Sequence, residues 1–340
     1  MGIINIVKVI VSLFVVLFYS SSSVVNSQLQ VGFYGDSCSC AESVVKDEVT
    51  KAFMNNRRVA AGLIRMHFHD CFVRGCDGSI LLDSTASNIA EKDSPVNNPS
   101  LHGFEVIDSA KARLESECRG VVSCTDILAF AARDSVEMSG GVGYDVPAGR
   151  RDGRVSIASE TLTQLPSPTS NLNQLTQLFA TKGLTQQQMV TLSGAHTIGQ
   201  SHCSSFRDRL YNFNGSMSRD PSLNDRYAAE LMQQCPQQGG TNSANNDLVV
   251  PMNPACHADT MDVSYYVGLM RNRGLFTSDQ TLMTSPETAN EVYGYATYQD
   301  SMLWKLNFAD AMVKMGLIDV LTGYNGGEIR SNCRVINQYY

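Results

Sequence analysis

Apolar residues recur along most of this chain with the period of a helix. In residues 41–55 they fall at Val44, Val45, Val49, Ala52 and Phe53, close to 3.6 residues per turn. In 104–118, Val106, Ile107, Ala110 and Leu114 form one stripe. The same reasoning predicts helices over 60–71, 124–135, 171–182, 224–234, 263–271, 285–296 and 300–314. Gly183 is placed to end the 171–182 helix. Thr185 is placed to cap another, running to about Gly194 or beyond. Strand-like alternation is rare and short, and strands do not alternate with helices, which argues against a doubly wound sheet. No internal repeat is visible, and the Gln/Asn/Gly-rich stretch 237–246 reads as an exposed loop. The pattern predicts a mainly α protein with little β: one chain-spanning domain, in two lobes around a buried ligand.

The first 27 residues stand apart. Lys8 precedes an apolar run over 9–18, and small residues follow to Ser27. So short a run before small residues fits a cleaved secretory signal better than a membrane anchor. Cleavage near Ser27 leaves Gln28 first in a mature chain of 28–340, with no other membrane-spanning candidate. Overall, 43% hydrophobic and 17% charged residues are ordinary for a globular protein. Loss of Lys8 leaves 25 basic against 33 acidic residues, a net charge of −8. No basic run of five occurs, so neither nucleic acid nor an anionic membrane is an expected partner.

Ten cysteines in a secreted chain point to disulfides. Zinc is the rival reading, but Cys38-Ser39-Cys40 and Cys71…Cys76 lack the two-residue spacing of a zinc knuckle. The sequon Asn214-Gly215-Ser216 also suits secretion.

Two segments carry candidate chemistry. In Arg65-Met66-His67-Phe68-His69-Asp70-Cys71, helical spacing puts Arg65 and His69 on one face with Phe68 beside them, and turns His67 away. A cation and an imidazole aimed into one cleft can serve as charge stabiliser and proton acceptor. By spacing alone the signal is weak, and a surface arginine near a core histidine is the simpler reading. In Leu192-Ser193-Gly194-Ala195-His196-Thr197-Ile198-Gly199, one histidine stands among small and apolar residues. That suits an axial metal ligand in a dry pocket, and it also suits a satisfied core histidine.

Together these segments resemble the plant secretory (class III) haem peroxidases. The match runs from about Gln28 to Asn337. It includes Asp70-Cys71-Phe72-Val73-Arg74-Gly75-Cys76-Asp77-Gly78-Ser79, Val122 to Leu128, Gly149-Arg150-Arg151-Asp152-Gly153 and Gly323 to Cys333, in the same order. The resemblance implies haem b held by His196, with Asp279 accepting that ligand's other N–H and Phe68 bordering the haem. It implies His69 as the base towards hydrogen peroxide and Arg65 as the charge stabiliser. Asn97 orients His69, and Glu91 links to Asn97. Pro166 matches a substrate-contact proline for small phenolic donors oxidised by one-electron steps. Asp70, Val73, Gly75, Asp77 and Ser79 match a distal calcium site, and Thr197 and Asp262 match part of a proximal one. The Asp and Thr that normally precede Asp262 do not stand at their expected positions in 251–259, so weak calcium retention is expected there; Asp259 or Asp247 are the available substitutes.

The resemblance also pairs Cys38–Cys118, Cys71–Cys76, Cys124–Cys333 and Cys203–Cys235. Cys40 and Cys256 are extra, free to pair, stay reduced or bridge to another chain. A monomeric enzyme of the cell-wall space is expected. The vacuole is disfavoured, because only three residues follow Asn337. A haem-less binding module is the alternative class, but it would have lost Arg65, His69, His196 or Asp279. A zinc hydrolase using His67, His69 and Cys71 fails because helix positions two apart diverge.

Overall fold

The computed structural model describes residues 29–237, 248–253, 258–297, 301–323 and 326–338. Among them are thirteen α-helices: α1 (Ala41–Asn55), α2 (Val59–Val73), α3 (Phe104–Glu117), α4 (Cys124–Met138), α5 (Ala158–Gln164), α6 (Leu172–Thr181), α7 (Gln186–Ser193), α8 (Arg207–Tyr211), α9 (Asp225–Gln234), α10 (Ser264–Met270), α11 (Thr277–Gln280), α12 (Pro286–Thr297) and α13 (Met302–Met315). The only sheet among the described residues pairs Gln200–His202 antiparallel with Val249–Pro251.

Local chemistry explains several boundaries. Ser123 caps α4 by accepting the Asp126 N–H at 3.1 Å. Asn171 with Gln174, and Thr185 with Gln188, form reciprocal capping boxes at α6 and α7. Gly183, at φ 72°, follows α6 as expected. The hydrophobic pattern does not predict the short helices α5, α8 and α11. They span seven, five and four residues, too few turns to print a periodic stripe.

Apolar packing forms two large clusters and a small one. Val45, Val49, Ile107, Leu114, Leu128 and Phe130 join α1, α3 and α4. Phe179, Met189, Leu192, Tyr266, Trp304 and Phe308 join α6, α7, α10 and α13. Phe206, Leu210, Tyr227 and Leu231 form the small one. Helix α2 belongs to both large clusters, giving Leu63 and Met66 to the first and Ile64 and Phe72 to the second. Twelve of its fifteen residues are buried, so its polar side chains must find partners inside.

The chain's last segments close over its first. Asp152 accepts the Cys124 and Thr125 N–H groups at 3.1 and 2.9 Å, and the Arg330 N–H at 2.8 Å. Buried Arg150 pairs with Asp126 at 2.8 Å and donates to the Gly316 carbonyl; Tyr34 donates its hydroxyl to Asp126. Among the described residues four disulfides join Cys38–Cys118, Cys71–Cys76, Cys124–Cys333 and Cys203–Cys235, as the resemblance implied. Cys40 is unbonded, its sulfur 3.8 and 4.0 Å from those of Cys38 and Cys118. Two of those three sulfurs are already joined, so the trio is no zinc site. Cys256 lies outside the described residues, and with it any Cys40–Cys256 pairing. No described helix is long and apolar enough to cross a membrane.

Candidate active site

Helix α2 presents Arg65 and His69 one turn apart, as the spacing required. Arg65 Nε donates to His69 Nε2 at 3.2 Å. The rest of its guanidinium is fixed by Ser100 Oγ at 3.0 Å and the Val96 carbonyl at 2.9 Å. His69 Nδ1 lies 2.6 Å from Asn97 Oδ1. An amide oxygen can only accept, so Nδ1 carries the proton and the Nε2 lone pair faces Arg65. Burial, then the Arg65 charge, hold the His69 pKa well below its usual value, so the ring is neutral. Burial lowers the Arg65 pKa to about 10, which leaves it charged at neutral pH. Phe68 packs against Phe72 and Phe179, with centroids 4.3 and 6.4 Å away.

Asn97 is itself held, because its Nδ2 donates to the Glu91 backbone carbonyl at 2.7 Å. The expected link between Glu91 and Asn97 thus runs through the main chain. No side-chain signal in the sequence could reveal that. The Glu91 carboxylate does something else: both its oxygens are buried without a hydrogen-bond partner, as is Ser79 Oγ. Buried Asp70 and Asp77 stand nearby. Asp70 accepts the Gly78 N–H at 3.0 Å, and Asp77 accepts the Ser79 N–H at 2.9 Å. Burial, then the Asp77 charge, push the Asp70 pKa well up; burial raises Asp77 to about 6. Burial, with Asp70 and Asp77 adding to it, lifts Glu91 to about 9. Orphaned buried oxygens among crowded carboxyls are the donor set a hard cation relieves. Gly75 and Gly78, at φ 89° and 68°, turn the loop between Val73 and Ser79 through backbone that other residues resist.

The second histidine sits on a tight turn, Gly194–Thr197, that continues from α7. Gly194 is required there: a Cβ would stand 2.5 Å from the Tyr266 hydroxyl and 2.6 Å from Trp304 Nε1. His196 Nδ1 meets Asp279 Oδ1 at 2.7 Å. Asp279 is fixed by Tyr265 Oη at 3.1 Å and by the Phe276 N–H at 2.8 Å. Nε2 of His196 takes no hydrogen bond among the described residues, and 39% of the side chain is accessible. A ring anchored through one nitrogen and open at the other suits an axial iron ligand. Ile198, just after it, shares an apolar cluster with Ile64 and Phe72 of α2, so the two histidine segments flank one region. Pro166 is half-buried between α5 and α6, in a loop tied to α11 by the Ser278 N–H to the Pro168 carbonyl, 3.0 Å. His67 points away, as expected: it is buried beside Cys71. Cys71 is bonded to Cys76, which removes the zinc reading.

Comparison with known proteins gives the family. The peroxidase family model matches residues 45–298. A Vitis vinifera protein called Peroxidase 5 is 65% identical over 323 residues, covering 95% of this chain and 96% of its own length. Peroxidase 3 of Arabidopsis thaliana is 48% identical, covering 92% and 93%. Peroxidase 1 of Zea mays is also 48% identical, covering 92% and 84%. With the family model spanning most of the chain and relatives matching almost end to end, the chain belongs to the plant class III peroxidases and is a peroxidase.

Proposed function

We propose that residues 1–27 are a cleaved signal and that 28–340 form a secreted haem peroxidase that reduces hydrogen peroxide and oxidises phenolic donors. The observation that carries this reading is the line Asn97–His69–Arg65, a neutral base with a fixed tautomer beside a fixed cation. His196, backed by Asp279, is the residue to hold haem b. Haem bound there would supply the redox chemistry, linking two-electron reduction of peroxide to one-electron oxidation of donors.

The chain's own residues handle the protons and the charge. His69 Nε2 takes the proton from incoming peroxide and returns it to the far oxygen, which leaves as water. Arg65 swings one N–H from His69 to the departing oxygen and offsets its negative charge. Asn97 keeps the accepting nitrogen pointed at peroxide throughout. Asp279 draws the His196 proton towards itself, making the ligand more electron-rich. The distal calcium belongs to Asp70, Val73, Gly75, Asp77 and Ser79, which brace the end of the helix carrying His69. Pro166 borders the donor. The exposed Asn214 is a glycan site on a secreted protein of the cell-wall space.

Absorption spectroscopy and rapid mixing test this. Purified protein should show a Soret band that shifts on adding peroxide. His69→Ala should keep the band and slow the shift by roughly 10²–10⁴-fold; Arg65→Leu should slow it by roughly 10²–10³-fold. A His69→Ala protein reacting at the unmodified rate overturns the assignment of the base.

A further inference from the structure

The two cation sites that the family resemblance implies are built very differently here. On the distal side, oxygens lack partners: Ser79 Oγ and both Glu91 carboxylate oxygens are buried and unbonded. On the proximal side they are already taken. Asp262 Oδ1 accepts from Thr197 Oγ1 at 2.9 Å, from the Ser264 N–H at 2.9 Å, and from Ser264 Oγ. Ser264 Oγ in turn accepts from Asn253 Nδ2. Thr197 and Asn253 are buried.

Calcium needs six to eight oxygens with lone pairs turned towards it. In this cluster the polar groups are spent on one another instead. The Thr197 and Ser264 hydroxyls give their protons to one carboxylate, and Asn253 offers an N–H. The neighbouring positions 254–257 are Pro, Ala, Cys and His, so none brings a side-chain oxygen. Three donors converge on Asp262 Oδ1, which leaves that oxygen little capacity for a cation.

We infer that this chain keeps calcium on the distal side only, and that the hydrogen-bonded cluster of Thr197, Asn253, Asp262 and Ser264 takes the structural place of a proximal ion. Thr197 ends the turn that bears His196, and Ser264 begins α10. The cluster therefore pins the His196 turn to α10 by direct hydrogen bonds. The inference sharpens the haem-peroxidase reading and rests on it only for the meaning of His196; the ion count stands apart from haem content.

Metal analysis of the purified holoenzyme, equilibrated with calcium and then freed of loose ions, tests it. A spectrum of the same sample reads haem separately. The expected result is no more than one tightly held calcium per chain, unchanged in Asp262→Asn and lost in Asp77→Asn. Two calcium ions per chain, or a count that falls in Asp262→Asn, overturns the inference. Should Asp262→Asn fail to fold, Ser264→Ala and Asn253→Leu serve. Each should lower Tm by roughly 2–4 °C, by the same amount with calcium and after chelation. A Tm drop that disappears on chelation would mean that these residues act through an ion, and would also overturn it.

Discussion

His69 sits buried beside a guanidinium, and both facts resist its protonation. Asn97 works in the opposite direction, since its oxygen holds the Nδ1 proton and makes the ring more basic. Asn97→Val should therefore leave haem content unchanged and slow the peroxide reaction by roughly 10–100-fold, less than removal of His69. Rapid mixing reads this directly; an unaltered rate would leave Asn97 with a packing role alone. His67 is a histidine of another kind. Burial, then Arg150, lower its pKa to about 3. Unfolded, it takes a proton near pH 6.5; folded, it does not until near 3. Between those values the unfolded state binds more protons, so stability falls as pH falls. His67→Gln should flatten that slope by up to about 1.4 kcal/mol per pH unit, measured by urea unfolding at a series of pH values. Equal slopes in the two proteins would show that His67 does not resist protonation as described. Above pH 6.5 the substitution should leave no pH-dependent difference.

At the scale of elements, long helices were legible and short ones were not. Residues 41–55 carry a stripe and 171–182 an end signal, and α1 and α6 follow them closely. Helix α11 has no stripe, yet it delivers Asp279. Only resemblance to a family could single out that carboxylate, because its partner lies 83 residues away. Spacing placed Arg65 and His69 on one face but could not tell a cleft from a core. What decides that is α2 lying between two apolar clusters, a fact of tertiary packing. Motif glycines also become intelligible only in three dimensions. At Gly153 a Cβ would fall 2.1 Å from Asp77 Oδ2. Gly153→Ala should push that carboxylate out of the calcium cradle. The expected outcome is calcium lost at lower chelator concentration and a reduced Tm, by calorimetry. Unchanged calcium affinity would mean that the loop yields without moving Asp77.

For the whole molecule, the acid-sensitive histidines and the disulfides pull in different directions. The bonds span 80, 5, 209 and 32 residues, and in the chain-entropy view the longest loop stabilises most. Reduction should accordingly destabilise the protein most through Cys124–Cys333. Replacing both of those cysteines by serine should cost roughly 2–5 kcal/mol, read by guanidinium melts. A loss well under 1 kcal/mol would show that the Asp152 and Arg330 contacts hold the ends together unaided.

Those same contacts set an order of events during synthesis. Asp152, Arg150 and Cys76 lie in the first half of the chain, yet their partners are the Arg330 N–H, the Gly316 carbonyl and the Ile318 carbonyl. The Gly78 carbonyl likewise waits for the Arg330 side chain. Residues 316–333 leave the ribosome after all of these. Until they emerge, the loop from Asp70 to Ser79 at the end of α2 lacks its backing, so the proposed calcium cradle cannot be complete before they do.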